Sequence, residues 1–527
     1  MTGLFPHASG HQEGFMTISK RHSAAVFQQD PRLVRADDDW LHLPNRWGIP
    51  VEICAGTDVP IESSAVDEVL AVLETADTLE RLGTATGHTE AAISRLVLTP
   101  DFHKGAGIPI GTVLQTRGAL IPQAVGNDIN CGMRLETTSL TTEQVRPRLD
   151  ALERRLRHVF FEGGRHIALS GPQREALLRE GLPGLLDIGT PESAEGVWSA
   201  VQPGDAASGR IHGASYPTRS ADAFRDWISS AGGTSYDSII GSVGGGNHFA
   251  ELQYVSAVHD RQAAYAWGFR LGQVVSMVHS GSLSLGHQAN ASGLDQAKAI
   301  WPENLPEPDN KIIPMLLDER SAAARRRYLD VFGNAANFAV GNRFFLSLML
   351  RAALATECGE FAADLVYDAP HNLLWSHDDG HVVHRKGATP AGGYAEAADG
   401  PYAMWGEPVI VPGSMGAASY VLRGRGNART LASACHGAGR RVPRGAASRA
   451  NDAELDAFLR DFRVVTPLNH RDPGVVRRSD VMAAWRRDLK QEAPWVYKDI
   501  GPVISSLHQA GVAEPVVELQ PLLTVKG

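Results

Sequence analysis

Short apolar segments that run directly into histidine-bearing turns are the feature that most restricts the fold of this chain. The segments include "VVSMVH", "LVYDA", "PVIVPG" and "ASYVLRG", and each one meets a turn rich in Gly, His or Asn. Apolar runs of this length between turn residues are typical of strands, and strands that end in polar loops can present a site. The pattern therefore predicts an α+β fold with short-stranded mixed sheets and helices.

Three longer segments predict helices. Residues 63–83 and 141–160 carry amphipathic periodicity. The segment 319–359 is the strongest helix in the sequence, and Gly333 and Gly341 within it indicate either close packing or a break.

The organisation of the chain favours one large domain. Its 527 residues are enough for several domains, but they contain no internal repeat and no obvious linker. Residues 1–60 look irregular, and the polar, Gly/Pro/Ser-rich stretch 181–235 is interpreted as a surface insertion.

Charge and cysteine content restrict the class of protein. A net charge of −9 argues against a surface that coats nucleic acid by bulk electrostatics, although a local basic groove stays open. The four cysteines are too scattered for a disulfide framework or a zinc ribbon. The N-terminal residues lack the pattern of a signal peptide, and no run of 18 apolar residues is present. We expect a cytoplasmic protein without a membrane partner.

Several turns carry the residue types that hold transition metals. Asp128 and Cys131 lie three residues apart in "AVGNDINCGMR", and histidines follow in four further turns as His248, His279 with His287, His371 and His436. Asp, Cys and His side chains are ligands of divalent metals, and a thiolate can bridge two ions. A single histidine is more often structural, and this interpretation is kept for His7, His11, His22, His42, His377 and His381.

Other turns suit phosphate. "GSVGGGNH" precedes a strand-like segment instead of a helix, so it is not a dinucleotide fingerprint, but its backbone N–H groups could hold phosphates. Ser414 and Ser419 are potential hydrogen-bond donors, and "HRKGATPAGG" could clamp a phosphate or be a solvated turn. The residues alone leave His436 open as a ligand, a base, a nucleophile or a turn residue.

Ten strings of the chain, taken in order, resemble those of one known family. They are "PDFHKGAGIPIGTV", "DINCGMR", "GGGNHFAELQ", "HSGSLSLGHQ", "NAANFAVGNR", "YDAPHN", "HRKGATPA", "PVIVPGSMGAASYVL", "CHGAGR" and the terminal "VKG". The chain resembles the RtcB family of GTP-dependent RNA ligases, which join an RNA 3′-phosphate or 2′,3′-cyclic phosphate end to a 5′-hydroxyl end. The resemblance implies one α+β catalytic domain over residues 96–527 around a central metal cleft, with residues 1–95 packed on it.

The resemblance also implies roles for individual residues. Asp128, Cys131 and His248 would hold one manganese ion, and Cys131, His279 and His371 the other. His436 would attack the α-phosphate of GTP and become guanylylated. The implied contacts with guanosine and phosphate are Asn247, Glu251, Asn372, Ser414, Ser419, Gly437, Ala438, Gly439, Tyr497 and Lys526. Candidates for binding RNA phosphates are Arg385, Lys386, Arg440, Arg441 and Arg444.

Three departures from the family's pattern keep other functions open. Family members commonly have arginine where this chain has Leu283 and Pro390, and an aromatic residue where it has Asn127. One alternative is a diverged guanylyltransferase or phosphodiesterase that uses the metals on another phosphorylated end. A second alternative is a non-catalytic, metal-stabilised RNA-binding protein. The implied partners are RNA, GTP and an activator similar to the family's archease.

Overall fold

Two β-sheets and a long buried helix organise the residues that the computed structural model describes, namely 30–189, 196–206, 208–229, 235–236, 239–448 and 452–527. The strands are β1 Val34–Arg35, β2 Trp40–His42, β3 Val51–Cys54, β4 Ala92–His103, β5 Ile110–Arg117, β6 Ala119–Leu120, β7 Gly132–Thr141, β8 Ala168–Leu169, β9 Ser235–Tyr236, β10 Phe249–Val258, β11 Gln273–Ser280, β12 Met315–Leu316, β13 Ala363–Pro370, β14 Asn372–Ser376, β15 His381–Lys386, β16 Ala388–Pro390, β17 Pro408–Val411, β18 Ser419–Gly424, β19 Ser433–Cys435, β20 Val464–Val465 and β21 Ala513–Val525. The helices are α1 Ser63–Leu73, α2 Thr75–Thr86, α3 Thr142–Val145, α4 Leu149–Phe161, α5 Gly171–Asp187, α6 Arg225–Ser229, α7 Arg261–Ala266, α8 Leu283–Ala299, α9 Ala322–Cys358, α10 Arg444–Ala447, α11 Asp452–Asp461, α12 Pro473–Val476, α13 Ser479–Lys490 and α14 Ile500–Gln509. The mixture confirms the predicted α+β class.

The larger sheet has the order β13-β7-β11-β10-β21-β18-β17, and β20 pairs in parallel with the end of β21. Both of its faces are buried. Leu252 and Val278 pack in the main core with helix α9, while Val255 and Met277 pack in a second core on the opposite face. The four apolar segments that predicted strands are β11, β13, β17 and β18, so that prediction is confirmed.

The second sheet has the order β1-β2-β3-β4-β5-β15-β14 and is built from residues 34–117 and 372–386. Its first three strands lie within residues 1–60, so the expectation of an irregular segment is wrong for the described part. These strands have two to four residues, which is too short for alternation to be recognised in the sequence. His7, His11 and His22 lie outside the described residues.

Helix α9 runs without a break through both of its internal glycines. A Cβ atom at Gly341 would lie 2.8 Å from Leu177, and one at Gly333 would lie 2.6 Å from Thr218. Close packing, and not a break, therefore explains these glycines. By length and composition α9 could cross a membrane, but 89% of its most apolar window is buried inside the protein, as in a core helix.

The other two predicted helices are divided. Residues 63–83 form α1 and α2, which meet at Glu74, and α2 continues past Gly83 to a left-handed Gly87. Residues 141–160 contain α3 and α4, separated by a short 3₁₀ turn that includes Pro147. Proline lacks the N–H that a continuous helix would need there.

The described parts of 181–235 contribute buried side chains to the main core, including Leu182 and Trp198. Asp205 from the same stretch is buried against Arg351 of helix α9, at 2.6 Å. The boundaries at residues 95, 181 and 235 stay predictions.

Candidate metal and nucleotide site

Strand pairing in the larger sheet brings four ligand-type side chains to one end of the sheet. His279 in β11 lies opposite Phe249, the residue after His248, and also opposite Met133 of β7. Gly132, which follows Cys131, lies opposite Pro370, which precedes His371. Residues far apart in the sequence therefore converge because antiparallel register fixes their strands side by side.

The side-chain atoms of these residues are in contact. The Cys131 Sγ atom lies 3.2 Å from His248 Nε2 and 3.3 Å from His279 Nε2. The Nε2 atoms of His279 and His371 are 3.2 Å apart, and His248 Nε2 lies 2.8 Å from an Asp128 carboxylate oxygen. Cys131, His248 and His279 form a cluster of potential ligands whose atoms all lie within 4.8 Å of one another. His371 and Asp128 each contact one histidine of this cluster.

The chemistry of this cluster fits a cation. His248 Nδ1 lies 3.0 Å from the Val243 carbonyl, a contact that favours a proton on Nδ1. Nε2 lies 2.8 Å from the Asp128 oxygen, a spacing at which a cation between the two atoms would be stabilised. Burial, together with neighbouring cationic groups, holds the pKa values of His279 and His371 well below the ordinary range, so both rings are neutral and have a lone pair that could bind a metal.

The Cys131 thiol is deeply buried at the centre of the cluster. Burial raises its pKa well above the ordinary value, and the Asp128 carboxylate raises it further. The thiolate that a metal needs would therefore be stabilised by the metal itself.

His436 lies beside the cluster, with its ring centroid 4.6 Å from that of His371. It follows β19 and is 8% exposed. Its Nδ1 atom lies 2.6 Å from a carboxylate oxygen of Asp101, which is fully buried. The two groups are in ion-pair contact, and a neutral His436 ring with its proton on Nδ1, toward Asp101, would have its lone pair on Nε2.

The charge on Asp101 is maintained despite its burial. Burial alone would raise the pKa of this carboxyl, but the charge and hydrogen bond of His436 outweigh that effect, and the Thr99 hydroxyl donates at 2.5 Å. The pKa of Asp101 consequently lies below its ordinary value. Asp101 can thus hold the His436 ring in one tautomer and one orientation.

A cleft of about 1170 Å³ opens over these residues. Of the predicted site residues, those that line it are Asp128, Cys131, Asn247, His248, Glu251, His279, His371, Asn372, Lys386, Ser414, His436, Gly437, Ala438, Gly439, Arg440, Tyr497 and Lys526. The volume is sufficient for a nucleoside triphosphate.

A family model described as "tRNA-splicing ligase RtcB" matches residues 84–527 of this chain. The chain belongs to the RtcB family. The tRNA-splicing ligase RtcB of Thermococcus kodakarensis is 34% identical over 505 residues, which cover 92% of this chain and 97% of that protein. The protein of the same name from Pyrobaculum aerophilum is 32% identical over 514 residues, covering 91% and 97%. The RNA-splicing ligase RtcB of Mycobacterium tuberculosis is 34% identical over 450 residues, covering 81% and 96%.

Two predicted contact residues of this RtcB-family chain do not reach the cleft. Ser419 is 1% exposed, and its hydroxyl accepts a hydrogen bond from the Gly413 N–H at 3.1 Å. The Arg385 guanidinium donates to the Ser433 hydroxyl at 2.8 Å and lies 4.1 Å from the Trp375 ring centroid. Both side chains hold neighbouring turns in place. Arg441 also lies outside the cleft lining.

Other predicted residues line the cleft and also support it. The Asn372 amide donates to the Asp128 carbonyl at 3.1 Å and accepts from the Gly387 N–H at 2.8 Å. Arg440 pairs with Glu492 at 3.3 Å beside Tyr497. Lys386 and Lys526 donate to the backbone carbonyls of Ile108 and Gly246, each at 2.6 Å.

Arg343 supports the ligands of the RtcB-family site from beneath. It is fully buried on α9, pairs with Asp368 at 2.7 Å, and donates to the carbonyls of Asn130 and Ser280 at 2.5 and 3.1 Å. Those carbonyls belong to the neighbours of Cys131 and His279. One guanidinium therefore fixes two ligand-bearing segments.

Sequence reasoning missed Asp101 and Arg343. Asp101 stands in "PDFHKGAG", a string that carried the resemblance, and a carboxylate two residues before a histidine was the available signal. Arg343 ends the string "NAANFAVGNR", where a basic residue inside an apolar helix was the signal. A buried charge of this kind needs a partner.

The three departures from the family's pattern take different positions. Leu283 lines the cleft with a left-handed φ of 52°, and its N–H donates to Asp128 at 3.1 Å. Asn127 also lines the cleft and is hydrogen-bonded by Asn290. Pro390 is buried in β16 opposite Ser433 and lies outside the cleft lining.

Proposed function

We propose that this chain is an RNA ligase that joins an RNA 3′-phosphate or 2′,3′-cyclic phosphate end to a 5′-hydroxyl end, using GTP and two manganese ions. The observation that carries the proposal is the Asp101–His436 pair at 2.6 Å beside the ligand cluster. The names of the relatives, tRNA-splicing ligase and RNA-splicing ligase, support the same reaction class.

The residues present fit two metal ions. Asp128, Cys131 and His248 would hold one, and Cys131, His279 and His371 the other. When bound, such ions would neutralise phosphate charge during phosphoryl transfer. Soft thiolate and imidazole ligands also suit zinc, so the choice of manganese is part of the proposal.

His436 would carry the nucleotide. Because Asp101 accepts its Nδ1 proton, the Nε2 lone pair attacks the α-phosphorus of GTP, an N–P bond forms, and the bond to pyrophosphate breaks. The Gly437–Gly439 turn leaves its backbone open to the cleft, which gives room for the phosphate.

Ligation then proceeds through two further transfers. An RNA 3′-phosphate oxygen attacks the same phosphorus, and the N–P bond breaks to give an RNA capped with GMP and a free His436. A 5′-hydroxyl then attacks the RNA phosphorus, a new phosphodiester forms, and GMP leaves. A cyclic end first needs addition of water and cleavage of the bond between phosphorus and O2′.

The experiment is incubation of the protein with α-labelled GTP and manganese. We expect a covalent adduct that is labile in acid and stable in alkali, and its loss in His436→Ala. No adduct in the wild type would refute nucleotidyl transfer, and an adduct that survives in His436→Ala would refute the nucleophile.

Ligation of a short RNA then separates the alternatives. Joining of 3′-phosphate and 5′-hydroxyl ends supports the ligase. An adduct without joining would favour a guanylyltransferase that acts on another phosphorylated end. The observation behind this alternative is that the neutral Leu283 lines the cleft where family members commonly have an arginine.

A further inference from the structure

His103 is a histidine of the cleft wall that the proposed reaction leaves without a role. It ends strand β4, is 5% exposed and lines the cleft. Asp101 lies two residues earlier on the same strand, and its carbonyl oxygen contacts the His103 ring. His103 and His436, which Asp101 contacts, both line the cleft.

The tautomer of His103 is determined by the backbone beneath it. Its Nδ1 atom lies 2.8 Å from the Asp101 carbonyl oxygen. A carbonyl oxygen can only accept, so Nδ1 carries the proton and donates it. Nε2 is then a lone pair, and it is the ring nitrogen that remains available to a molecule in the cleft.

The ring also stays neutral. Burial lowers the pKa of His103 to about 3, and the charges of Lys498 and His436 act in the same direction, against the opposing effect of Asp101. Lys498 is itself buried, with its ammonium donating to the Phe102 carbonyl at 2.8 Å. A second proton on the ring would therefore meet an unfavourable environment.

A neutral His103 ring whose proton is fixed on Nδ1 can only accept a hydrogen bond from a molecule in the cleft, through Nε2. Phosphate oxygens are acceptors too, so they gain no hydrogen bond from His103. A hydroxyl group is a donor that fits. In the proposed reaction, hydroxyls lie next to reacting phosphates on the ribose of GTP and on the terminal ribose of the RNA.

We propose that His103 Nε2 accepts a hydrogen bond from a ribose hydroxyl of the substrate and so selects ribonucleotides over deoxyribonucleotides. This inference rests on the proposed function. The shared ligand chemistry is the ribose hydroxyl, and two assays distinguish its two sources.

The first assay measures formation of the His436 adduct with GTP, 2′-deoxy-GTP and 3′-deoxy-GTP. The variant is His103→Asn, in which the amide can still donate to the Asp101 carbonyl but nothing replaces the Nε2 acceptor. If the hydroxyl belongs to GTP, the wild type prefers GTP by about three- to tenfold over one deoxy analogue, and the variant loses that preference.

The second assay starts from the pre-formed adduct. Single-turnover joining is compared for RNAs whose 3′-phosphorylated nucleotide is either ribose or 2′-deoxyribose. If the hydroxyl belongs to the RNA end, the wild type prefers the ribose end by a similar factor and His103→Asn does not. Loss of the preference in either assay supports the proposal and identifies the source.

A preference for ribose that is the same in wild type and His103→Asn in both assays would overturn the proposal, as would a wild type without any preference. Absence of the adduct in the wild type would refute the proposed function and remove this inference with it. His377→Asn, at an exposed histidine, is the matched control. If His103→Asn does not fold, the second variant is His103→Gln, which places an amide oxygen near the Nε2 position. This variant should fold and retain the preference for ribose. Loss of the preference in a folded Gln variant would count against the proposal.

Discussion

Single residues at this site owe their chemistry to buried partners. His436 is oriented by Asp101, His248 by the Val243 carbonyl, and His103 by the Asp101 carbonyl. In each pair an oxygen atom of the partner lies within 3.0 Å of Nδ1 and so favours a proton on that nitrogen. The tautomer of a histidine is therefore a property of the fold, which is why residue type alone left four roles open for His436.

Replacement of Asp101 by Asn tests this orientation. Asn is similar in size but has no charge, and its amide can donate to Nδ1 and hold the wrong tautomer. We expect formation of the His436 adduct to slow by about 100-fold or more, with metal content unchanged. The measurement is the rate of label incorporation from GTP.

The matched control for that prediction is Asp499→Asn. Asp499 caps helix α14 by accepting from the Gly501 N–H at 3.0 Å, and Asn caps helices equally well. The control should keep the wild-type rate. Equal rates for Asp101→Asn and wild type would show that the pair is only structural.

Glu251 gives a prediction about pH. Burial raises the pKa of its carboxyl to about 8, from an ordinary value of 4.5, against the opposing effect of Gln253. An acid with a higher pKa in the folded chain favours folding at low pH, and that contribution is lost as pH rises toward 8. The wild type should therefore lose up to about 5 kcal/mol between pH 4.5 and 8 from this group.

Glu251→Gln cannot ionise, so its stability should depend less on pH over the same range. Thermal midpoints measured from pH 5 to pH 8.5 provide the comparison. The exposed Glu303→Gln should follow the wild type. Parallel curves for Glu251→Gln and the wild type would contradict the raised pKa.

At the scale of elements, the site depends on helix α9 as much as on the strands. Arg343 and Arg351 both project from this helix and are buried among carboxylates, Arg343 with Asp368 and Arg351 with Glu136 and Asp205. Of the two, only Arg343 also donates to the carbonyls next to Cys131 and His279, two of the proposed metal ligands. The two arginines are thus a matched pair for separating stability from metal binding.

Arg343→Lys keeps the charge but loses the planar fork that reaches Asp368 and two carbonyls together. We expect manganese affinity to fall by about 10- to 100-fold, as for other supports of metal ligands. Arg351→Lys should lower the thermal midpoint comparably but leave affinity near the wild-type value. Metal titration followed by elemental analysis is the measurement, with Cys131→Ala as the reference for a lost site.

An equal loss of affinity in both lysine variants would show that general loosening, and not the carbonyl contacts, is responsible. An unchanged affinity in Arg343→Lys would remove Arg343 from the support of the metals.

Element prediction from sequence succeeded where the pattern was local. The apolar runs ending at His279 and His371 are strands because they are bounded by turn residues and buried on both faces. The strands Val34–Arg35 and Trp40–His42 were missed because two or three residues show no period. Ser419 was predicted as a nucleotide contact by resemblance and Arg385 as a candidate for RNA phosphates, but the burial of both depends on distant turns that the sequence does not reveal.

At the scale of the whole molecule, the site combines segments from residue 101 to residue 526. Sequence patterns identify each segment, but their convergence follows from the register of strands that are far apart in the chain, such as β7 against β11 and β13. Cys131, His248 and His279 lie together in the structure, as the resemblance implied, and their role as metal ligands stays a prediction. Asp101 was missed, since its partner His436 lies 335 residues away in the sequence.

The net charge of the whole molecule limits how strongly RNA binding can depend on salt. The chain carries −9 overall, yet Lys104, Lys386, Arg440 and Lys526 line the cleft in the described residues. Single-stranded RNA releases counterions with a slope of about −0.7 per phosphate contact in a plot of log affinity against log salt. Four such contacts at most predict a slope no steeper than about −3, measured by fluorescence anisotropy at constant manganese.

Lys104→Ala should make the slope shallower by about 0.7, whereas Lys298→Ala, outside the cleft, should not change it. A slope of about −6 would show that RNA follows a much longer basic surface than the cleft provides.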